Sequence, residues 1–130
     1  MVLYHAVMAM YMAVRGWLEF GHQQRHRVEQ TLARYSQDAY ASGWAFPARP
    51  FNWTLYVFYG GDIRESAVAS LREQVAELAR LGPVDDDGDM PVGFFLLTDE
   101  RRQSKSWTIR EGLVVETLAP AELHWFAERS

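Results

Sequence analysis

Histidines are the first residues to consider for chemistry, because two of them lie four positions apart. His22 and His26, in the string HQQRH, have the spacing that places two imidazoles on one helical face, where they could bind zinc. A zinc protease also needs a glutamate directly after the first histidine, and this chain has Gln23 there. We therefore interpret both histidines as solvated and expect no metal site. His5 and His124 stand at opposite ends of the chain, and we interpret them as polar residues at the ends of elements.

Covalent catalysis finds little support in the remaining residues. The chain has no cysteine, which excludes a cysteine nucleophile, a thiolate metal site and a disulfide framework. No serine stands in the GxSxG string of many hydrolases. Gly60-Gly61-Asp62 resembles a phosphate-binding turn before a helix, but the Asp62 carboxylate would itself accept the free N–H groups. We predict instead that Asp62 caps the helix, with Glu65 completing a capping box, and we expect neither catalysis nor a cofactor.

Acidic residues dominate the second half of the chain. Residues 1–65 carry six arginines against five acids, whereas residues 66–130 carry seven basic residues against twelve acids, and the net charge is -4. A nucleic-acid-binding surface has the opposite balance. We therefore expect a basic protein partner and no nucleic acid. The acids assigned to the partner surface lie in one loop and in the hairpin turn that follows it: Asp85, Asp86, Asp87, Asp89, Asp99 and Glu100.

The acidic loop also resembles a calcium-binding string, because sequences of the form DxDxDG supply oxygen ligands. An EF-hand loop requires a glutamate six residues after its glycine, and this chain has Phe94 there. A solvated loop and a surface that attracts a basic protein remain the two interpretations.

Two of the five tryptophans have charged neighbours in predicted strands. Trp17 stands between Arg15 and Glu19, and Trp107 follows Lys105 by two residues. Such neighbours favour a half-exposed sheet face, on which aromatic side chains serve as interface anchors. We therefore add Trp17, Glu19 and Trp107 to the predicted partner surface, with core packing as the alternative for both tryptophans.

Hydrophobic periodicity predicts the elements that must position these residues. Alternation favours a strand over residues 6–20, with a helix as the alternative, and a helix follows over residues 22–42 with Gly43 as its stop. FNWTLYVFY predicts a strand over residues 51–59, ended by Gly60 and Gly61. The next helix, before Gly82-Pro83, presents the apolar stripe Val68, Leu71, Val75 and Leu78.

The last third of the chain predicts three strands and a short helix. The strands span residues 92–97, 107–110 and 113–118, the last two form a hairpin through Glu111-Gly112, and Pro120 starts the helix. The order is β-α-β-α-β-β-α. We predict one α+β domain over residues 1–130, a two-layer sandwich with helices on one face of a mainly antiparallel sheet.

The apolar run over residues 1–14 raises the possibility of a signal peptide or a membrane helix. Its first basic residue, Arg15, comes after the run, whereas a signal peptide has its basic residues before it. The run is also shorter than the ~20 apolar residues of a spanning helix. Together with the absence of cysteine, this favours a cytoplasmic protein without a membrane partner.

Three short strings resemble the immunity protein 7 family of bacterial polymorphic-toxin systems. They are GWLEF with Gly16-Trp17, VGFFLLTDE from Gly93 to Glu100, and SWTIREGLVVE, which runs from Trp107 through Gly112 to Glu116. Their order along residues 14–120 is the order of the similar strings in that family.

The resemblance implies a cytoplasmic inhibitor that binds one cognate toxin domain, blocks it by occlusion and has no catalysis of its own. In that interpretation the acidic residues steer a basic toxin. Two other classes stay open on the sequence. One is a small acidic dimeric chaperone of a secreted effector, and the other is a small-ligand-binding α+β domain with its pocket under residues 51–59. Neither the identity of a toxin nor the oligomeric state follows from the sequence.

Overall fold

The computed structural model describes residues 10–48, 53–83 and 90–128. Six strands are formed in this part of the chain: β1 (Tyr11–Gly21), β2 (Trp44–Ala45), β3 (Thr54–Arg64), β4 (Val92–Asp99), β5 (Ser104–Arg110) and β6 (Leu113–Leu118). Two α-helices accompany them, α1 (Arg25–Ala33) and α2 (Val68–Ala79). Four 3₁₀ segments complete the described elements: His22–Gln24, Ala41–Gly43, Glu65–Ala67 and Ala121–Glu128.

The six strands form one antiparallel sheet in the order β2-β3-β1-β4-β5-β6. Both α-helices pack on it, so the predicted α+β fold is confirmed. β1 lies inside the sheet and pairs with β3 over its whole length and with β4 over most of it. β1 therefore has a paired strand on each side. Its backbone sets the register of β3 and β4, and so the positions of the side chains on both faces of the sheet.

Alternation along β1 decides which side chains enter the core. Met12, Val14, Leu18 and Phe20 are buried and belong to the core cluster, whereas the intervening side chains lie on the other face of the sheet. The predicted strand is thus confirmed from Tyr11 onward, and residues 6–9 of that prediction lie outside the described residues. The same cluster contains the buried stripe of α2, namely Leu71, Val75 and Leu78, with Val68 partly buried against it.

β3 is longer than the sequence indicates. It runs through Gly60, Gly61 and Asp62, which pair with Arg15, Val14 and Ala13 of β1. The prediction that the two glycines end the strand and that Asp62 caps the helix is therefore wrong. The chain leaves the strand at Arg64 and enters a 3₁₀ turn that has no side-chain cap. Backbone pairing along the full length of β1 satisfies the N–H and C=O groups of these residues, and this outweighs the local turn preference of glycine.

α1 is shorter than predicted. It ends at Ala33, and residues 34–43 form successive tight turns, with bonds such as Asp38 N–H to the Tyr35 carbonyl at 2.9 Å. Asp38 also ties this segment to α2, since its Oδ2 accepts hydrogen bonds from Ser70 Oγ at 2.6 Å and Gln74 Nε2 at 3.2 Å. Tertiary hydrogen bonds thus replace the helical pattern over the second half of the predicted helix.

A row of aromatic rings crosses the helix side of the sheet over a glycine. Trp44 lies 5.0 Å from Tyr59 and 6.2 Å from Phe95, and Phe95 lies 6.0 Å from Trp107, all measured between ring centroids. Phe95 reaches this position because Gly16 is its neighbour on β1 and has no side chain. A Cβ atom at Gly16 would lie 2.4 Å from the Phe95 ring and 2.6 Å from the Phe94 carbonyl oxygen.

The predicted β5–β6 hairpin is confirmed. Glu111 and Gly112 both adopt positive φ, 53° and 78°, and connect Arg110 to its partner Leu113. Two consecutive residues in this region are typical of the two-residue turns whose twist matches that of antiparallel strands. After β6 the predicted short terminal helix is present as the 3₁₀ segment Ala121–Glu128.

Candidate functional site

The face of the sheet away from the helices carries the exposed aromatic residues of the central strands. In one cross-strand row Trp17 of β1 lies between Phe58 of β3 and Phe94 of β4. In the next row Glu19 lies between Tyr56 and Val92. We call Trp17, Tyr56, Phe58 and Phe94 the aromatic face.

Side chains of the aromatic face contact one another and remain accessible. Trp17 and Phe94 are tilted, with 6.0 Å between ring centroids, and the Tyr56 and Phe58 rings are nearly parallel, at 17° and 6.2 Å. Phe58 is 45% exposed, and the other three are half-buried. Large rings that are ordered by their neighbours lose little conformational freedom on binding, so such a surface suits recognition.

Two cavities open on this face. The larger, of about 680 Å³, is an open cleft lined by glycines, aromatic rings and aliphatic side chains, with Arg15 and Leu123 of the last 3₁₀ segment also at its wall. The smaller, of about 280 Å³, is lined by Trp17, Glu19, Tyr56 and Phe58. Trp17 and Phe58 contribute to both cavities, so the two form one continuous surface.

Trp17 and Glu19 lie where the sequence predicts them, on a half-exposed sheet face. Their side chains are also joined, because the Trp17 Nε1–H donates to Glu19 Oε2 at 2.8 Å. Residues two apart in a strand point to the same side, which allows this contact. The hydrogen bond fixes the orientation of both groups on the surface.

Trp107 does not belong to this surface, and its predicted exposure is wrong. It is 0% exposed and lies on the helix side of the sheet, where the Arg72 guanidinium of α2 stands 5.7 Å from its ring centroid. Its Nε1–H donates to Glu116 Oε1 at 2.8 Å. Lys105, the neighbour that suggested exposure, lies near the start of β5, and its Nζ is 3.5 Å from the same Glu116 Oε1. The element packed above a strand position decides its burial, and the charge of a sequence neighbour does not.

The predicted acids Asp99 and Glu100 lie at the far end of β1 from the aromatic face. Asp99 pairs with Met12, five residues along the strand from Trp17, which is a distance of roughly 17 Å at ~3.4 Å per residue. Asp99 Oδ1 accepts the N–H groups of Arg101 and Gln103, both at 2.9 Å, and Glu100 Oε1 accepts the Tyr11 N–H at 2.6 Å. These carboxylates stabilise the turn and the strand end, and they do not adjoin Trp17 and Glu19.

Several predicted residues fall outside the described part of the chain: Asp85, Asp86, Asp87, Asp89, His5 and the side chain of His124. His22 and His26 are both exposed. Within residues 10–48, 53–83 and 90–128, no three histidine or acidic side chains are grouped so that they could hold a metal ion. None of the helices in these ranges is long and apolar enough to cross a membrane.

No known protein family, curated protein or solved structure was found to match this chain. The candidate site therefore rests on its own geometry.

Tyr56, Phe58 and Phe94 are the residues of the site that the sequence did not single out. Residues 51–59 and 92–97 are rich in apolar and aromatic side chains, so alternation alone does not distinguish an outward ring from a buried one. The one indication of this surface in the sequence is that Trp17 and Glu19 alternate with apolar residues along β1, a pattern that indicates an exposed face. Extending it to the neighbouring strands required the register that places Phe58 and Phe94 beside Trp17.

The buried Trp107 and the half-exposed Glu116 give a pH dependence that can be measured. The Trp107 indole N–H, Lys105 and Arg72 together hold the pKa of Glu116 below its ordinary value, with the indole hydrogen bond contributing most. Because the folded pKa is the lower one, the stabilisation by Glu116 is complete above the unfolded value of about 4.3 and is lost as the pH falls through the folded value. We expect the stability difference between the wild type and Glu116→Gln to shrink as the pH is lowered from 6 toward 3, measured by urea unfolding.

A matched variant tests the cause of this pH dependence. Trp107→Phe keeps a large ring and removes the N–H donor to Glu116. We expect it to flatten the pH dependence relative to the wild type. A wild-type-like slope in Glu116→Gln would show that this carboxyl is not responsible.

Proposed function

We propose that this chain is an immunity-type protein, which binds a cognate bacterial toxin domain through the aromatic face and neutralises it by occlusion, without catalysis of its own. The observation that carries the proposal is the row Phe58–Trp17–Phe94, three rings from three adjacent strands on the face that the α-helices leave uncovered. Well-packed aromatic residues surrounded by polar groups are typical of the energetic centres of protein interfaces.

Charge supports a basic partner. The net charge of the chain is -4, and the smaller cavity presents the Glu19 carboxylate among three aromatic rings. An acidic inhibitor associates faster with a basic toxin, while contacts with the rings lengthen the life of the complex. We propose that both proteins meet in the cytoplasm.

The short strings that resemble the immunity protein 7 family also support the proposal, because two of the three contain residues of this surface, Trp17 in the first and Phe94 in the second. Gly16 admits the Phe95 ring on the helix side, and Trp17 next to it points to the opposite side. Gly93 allows β4 to approach β1 closely, since a Cβ there would lie 2.3 Å from the Trp17 carbonyl oxygen.

The test is co-expression with the C-terminal domain of the protein encoded by the adjacent gene. We expect that domain to arrest growth alone, and we expect this chain to restore growth and to co-purify with it in equal amounts. Trp17→Ala should weaken the complex by about 30-fold, the effect of losing a residue worth ~2 kcal/mol at an interface centre.

Trp53→Ala is the matched control, because Trp53 is 80% exposed and lines neither cavity. It should change the affinity by less than about threefold. Toxicity that this chain does not relieve would reject the proposal for that pair. If the complex forms and Trp17→Ala does not change its affinity, the interface does not include the aromatic face.

A second candidate function is the binding of a small apolar ligand, and the larger cavity favours it. Its volume of about 680 Å³ lies within the ~300–1,000 Å³ of typical ligand pockets, and Arg15 at its wall could orient an acidic group. Native mass spectrometry of the purified protein tests this directly. A stoichiometric adduct that Phe94→Ala removes would favour the ligand-binding function over the immunity function.

A further inference from the structure

The same tryptophan–glutamate pairing occurs on both faces of the sheet. On the helix side, Trp107 Nε1–H donates to Glu116 Oε1 at 2.8 Å. On the other side, Trp17 Nε1–H donates to Glu19 Oε2, also at 2.8 Å. Each pair combines an aromatic ring with a carboxylate held at the edge of that ring.

An arginine completes the pair on the helix side. The Arg72 guanidinium stands 5.7 Å from the Trp107 ring centroid, and its Nη1 lies 3.1 Å from Glu116 Oε1. It therefore gains a cation–π contact and an ion pair at once. Arg25 shows a similar preference elsewhere, since it lies 5.1 Å from the Phe46 ring centroid and 3.1 Å from Glu29 Oε2.

The cavity beside Trp17 has the shape and charge for a guanidinium group. Its wall is formed by Trp17, Glu19, Tyr56 and Phe58, and its volume is about 280 Å³. The Tyr56 and Phe58 rings are nearly parallel, at 17° with 6.2 Å between centroids, so a planar cation that stacks on one of them lies nearly parallel to both. The indole uses one acceptor position of Glu19, and a carboxylate has about four.

Among the described residues of β1, the one basic side chain on this face lies apart from Glu19. Arg15 is the basic residue on the same face of β1, and it lines the larger cavity. It stands four residues from Glu19, roughly 13 Å along an extended strand. The smaller cavity is therefore the acidic end of the aromatic face, and the larger cavity is its basic end.

We infer that the cavity formed by Trp17, Glu19, Tyr56 and Phe58 binds the guanidinium group of an arginine side chain from the partner protein. This inference rests on the proposed function, which supplies a basic protein partner. It names arginine because a planar, weakly hydrated cation gains from both the rings and the carboxylate, whereas the compact ammonium group of lysine stays more strongly hydrated. The partner arginine would take the place beside Trp17 and Glu19 that Arg72 takes beside Trp107 and Glu116.

The experiment uses the purified chain and a small probe, so it does not depend on any toxin. N-acetyl-arginine methylamide is titrated into ¹⁵N-labelled protein, and the indole N–H signals of Trp17 and Trp53 are followed by NMR, with Trp17→Phe assigning the first. We expect a saturable shift of the Trp17 signal in the millimolar range, as suits one isolated side chain. The neutral citrulline analogue should produce little shift, and the signal of Trp53 should not respond to either probe.

Two variants make the result specific to the cavity. Glu19→Gln keeps the size of the side chain and an acceptor for the indole, and it should raise the dissociation constant of the arginine probe about three- to tenfold. Phe58→Leu changes an exposed residue and should weaken binding through the loss of a ring. Equal shifts with the citrulline probe, or unchanged binding in both variants, would overturn the inference.

The result separates this inference from the proposed function. Specific binding of the probe without neutralisation of the adjacent toxin would leave the guanidinium site standing and reject the immunity function for that pair. Neutralisation of the toxin without binding of the probe would reject the guanidinium site and leave the function in place.

Discussion

Gly16→Ala is expected to lower the free energy of unfolding by about 3 kcal/mol or more, a large fraction of the ~5–15 kcal/mol that stabilises a typical domain. A Cβ atom at this position would lie 2.4 Å from two atoms of the Phe95 ring and 2.6 Å from the Phe94 carbonyl oxygen. One of these neighbours is backbone in the paired strand, so the sheet itself would have to move. The ring is 0% exposed and lies between Trp44 and Trp107, so it cannot move away from a new Cβ atom without displacing these neighbours.

Gly60→Ala is the matched control for this substitution. Gly60 lies in the neighbouring strand opposite Arg15, and a Cβ atom there would meet nothing within 4 Å. We expect this variant to be unchanged or more stable by about 0.5–1 kcal/mol, because alanine restricts the unfolded chain more than glycine does. Urea denaturation followed by circular dichroism measures both. If Gly16→Ala unfolded at the same urea concentration as Gly60→Ala, the close packing of Phe95 over β1 would be contradicted.

Trp107→Ala is the second substitution with a large expected effect, a loss of about 3–5 kcal/mol in the free energy of unfolding. The indole is fully buried, packs against Phe95 and lies under the Arg72 guanidinium. Its removal leaves a cavity beneath α2 and also takes the hydrogen-bond donor from Glu116. Denaturant unfolding at neutral pH is the measurement.

Trp17→Ala provides the comparison, since each tryptophan follows a basic residue by two positions in the sequence. Trp17 is half-buried on the outer face, so we expect a loss of only about 1–2 kcal/mol, in line with partial burial. Trp17 lies in the proposed interface and Trp107 lies in the core. We therefore expect Trp17→Ala to lower mainly the affinity for the partner and Trp107→Ala to lower mainly the stability. Equal destabilisation by both would show that Trp17 is a core residue.

Elements with a strong local pattern could be predicted from the sequence. The stripe of α2, the faces of β1 and the β5–β6 turn all follow from side-chain periodicity or from glycine at a position of positive φ. Where a distant strand or helix supplied hydrogen bonds, the ends of elements predicted from the local pattern were wrong. β3 continues through Gly60 and Gly61 because β1 pairs with it there, and α1 ends early because Asp38 bonds to α2.

For the candidate site, the sequence could indicate the outward face of one strand only. Trp17 and Glu19 lie two residues apart, so their shared face follows from strand geometry. Phe58 and Phe94 join them through strand register, which is fixed by the packing of the whole sheet. For Trp107 the sequence predicted exposure where the structure shows burial. α2 packs over this position, and no local feature of the sequence indicates that contact.

The place of β1 in the sheet also has a consequence for synthesis on the ribosome. β1 precedes both of its neighbours in the chain, and its residue Val14 pairs with Gly61 on one side and with Leu97 on the other. The β4–β5–β6 meander closes through short connections, whereas β1 is separated by long stretches of chain from β3 and β4, so the central strand waits for partners that emerge later. Its apolar residues and unpaired backbone groups stay accessible during that interval. A ribosome that stalls before β4 emerges would therefore leave one side of β1 open to pairing with other chains.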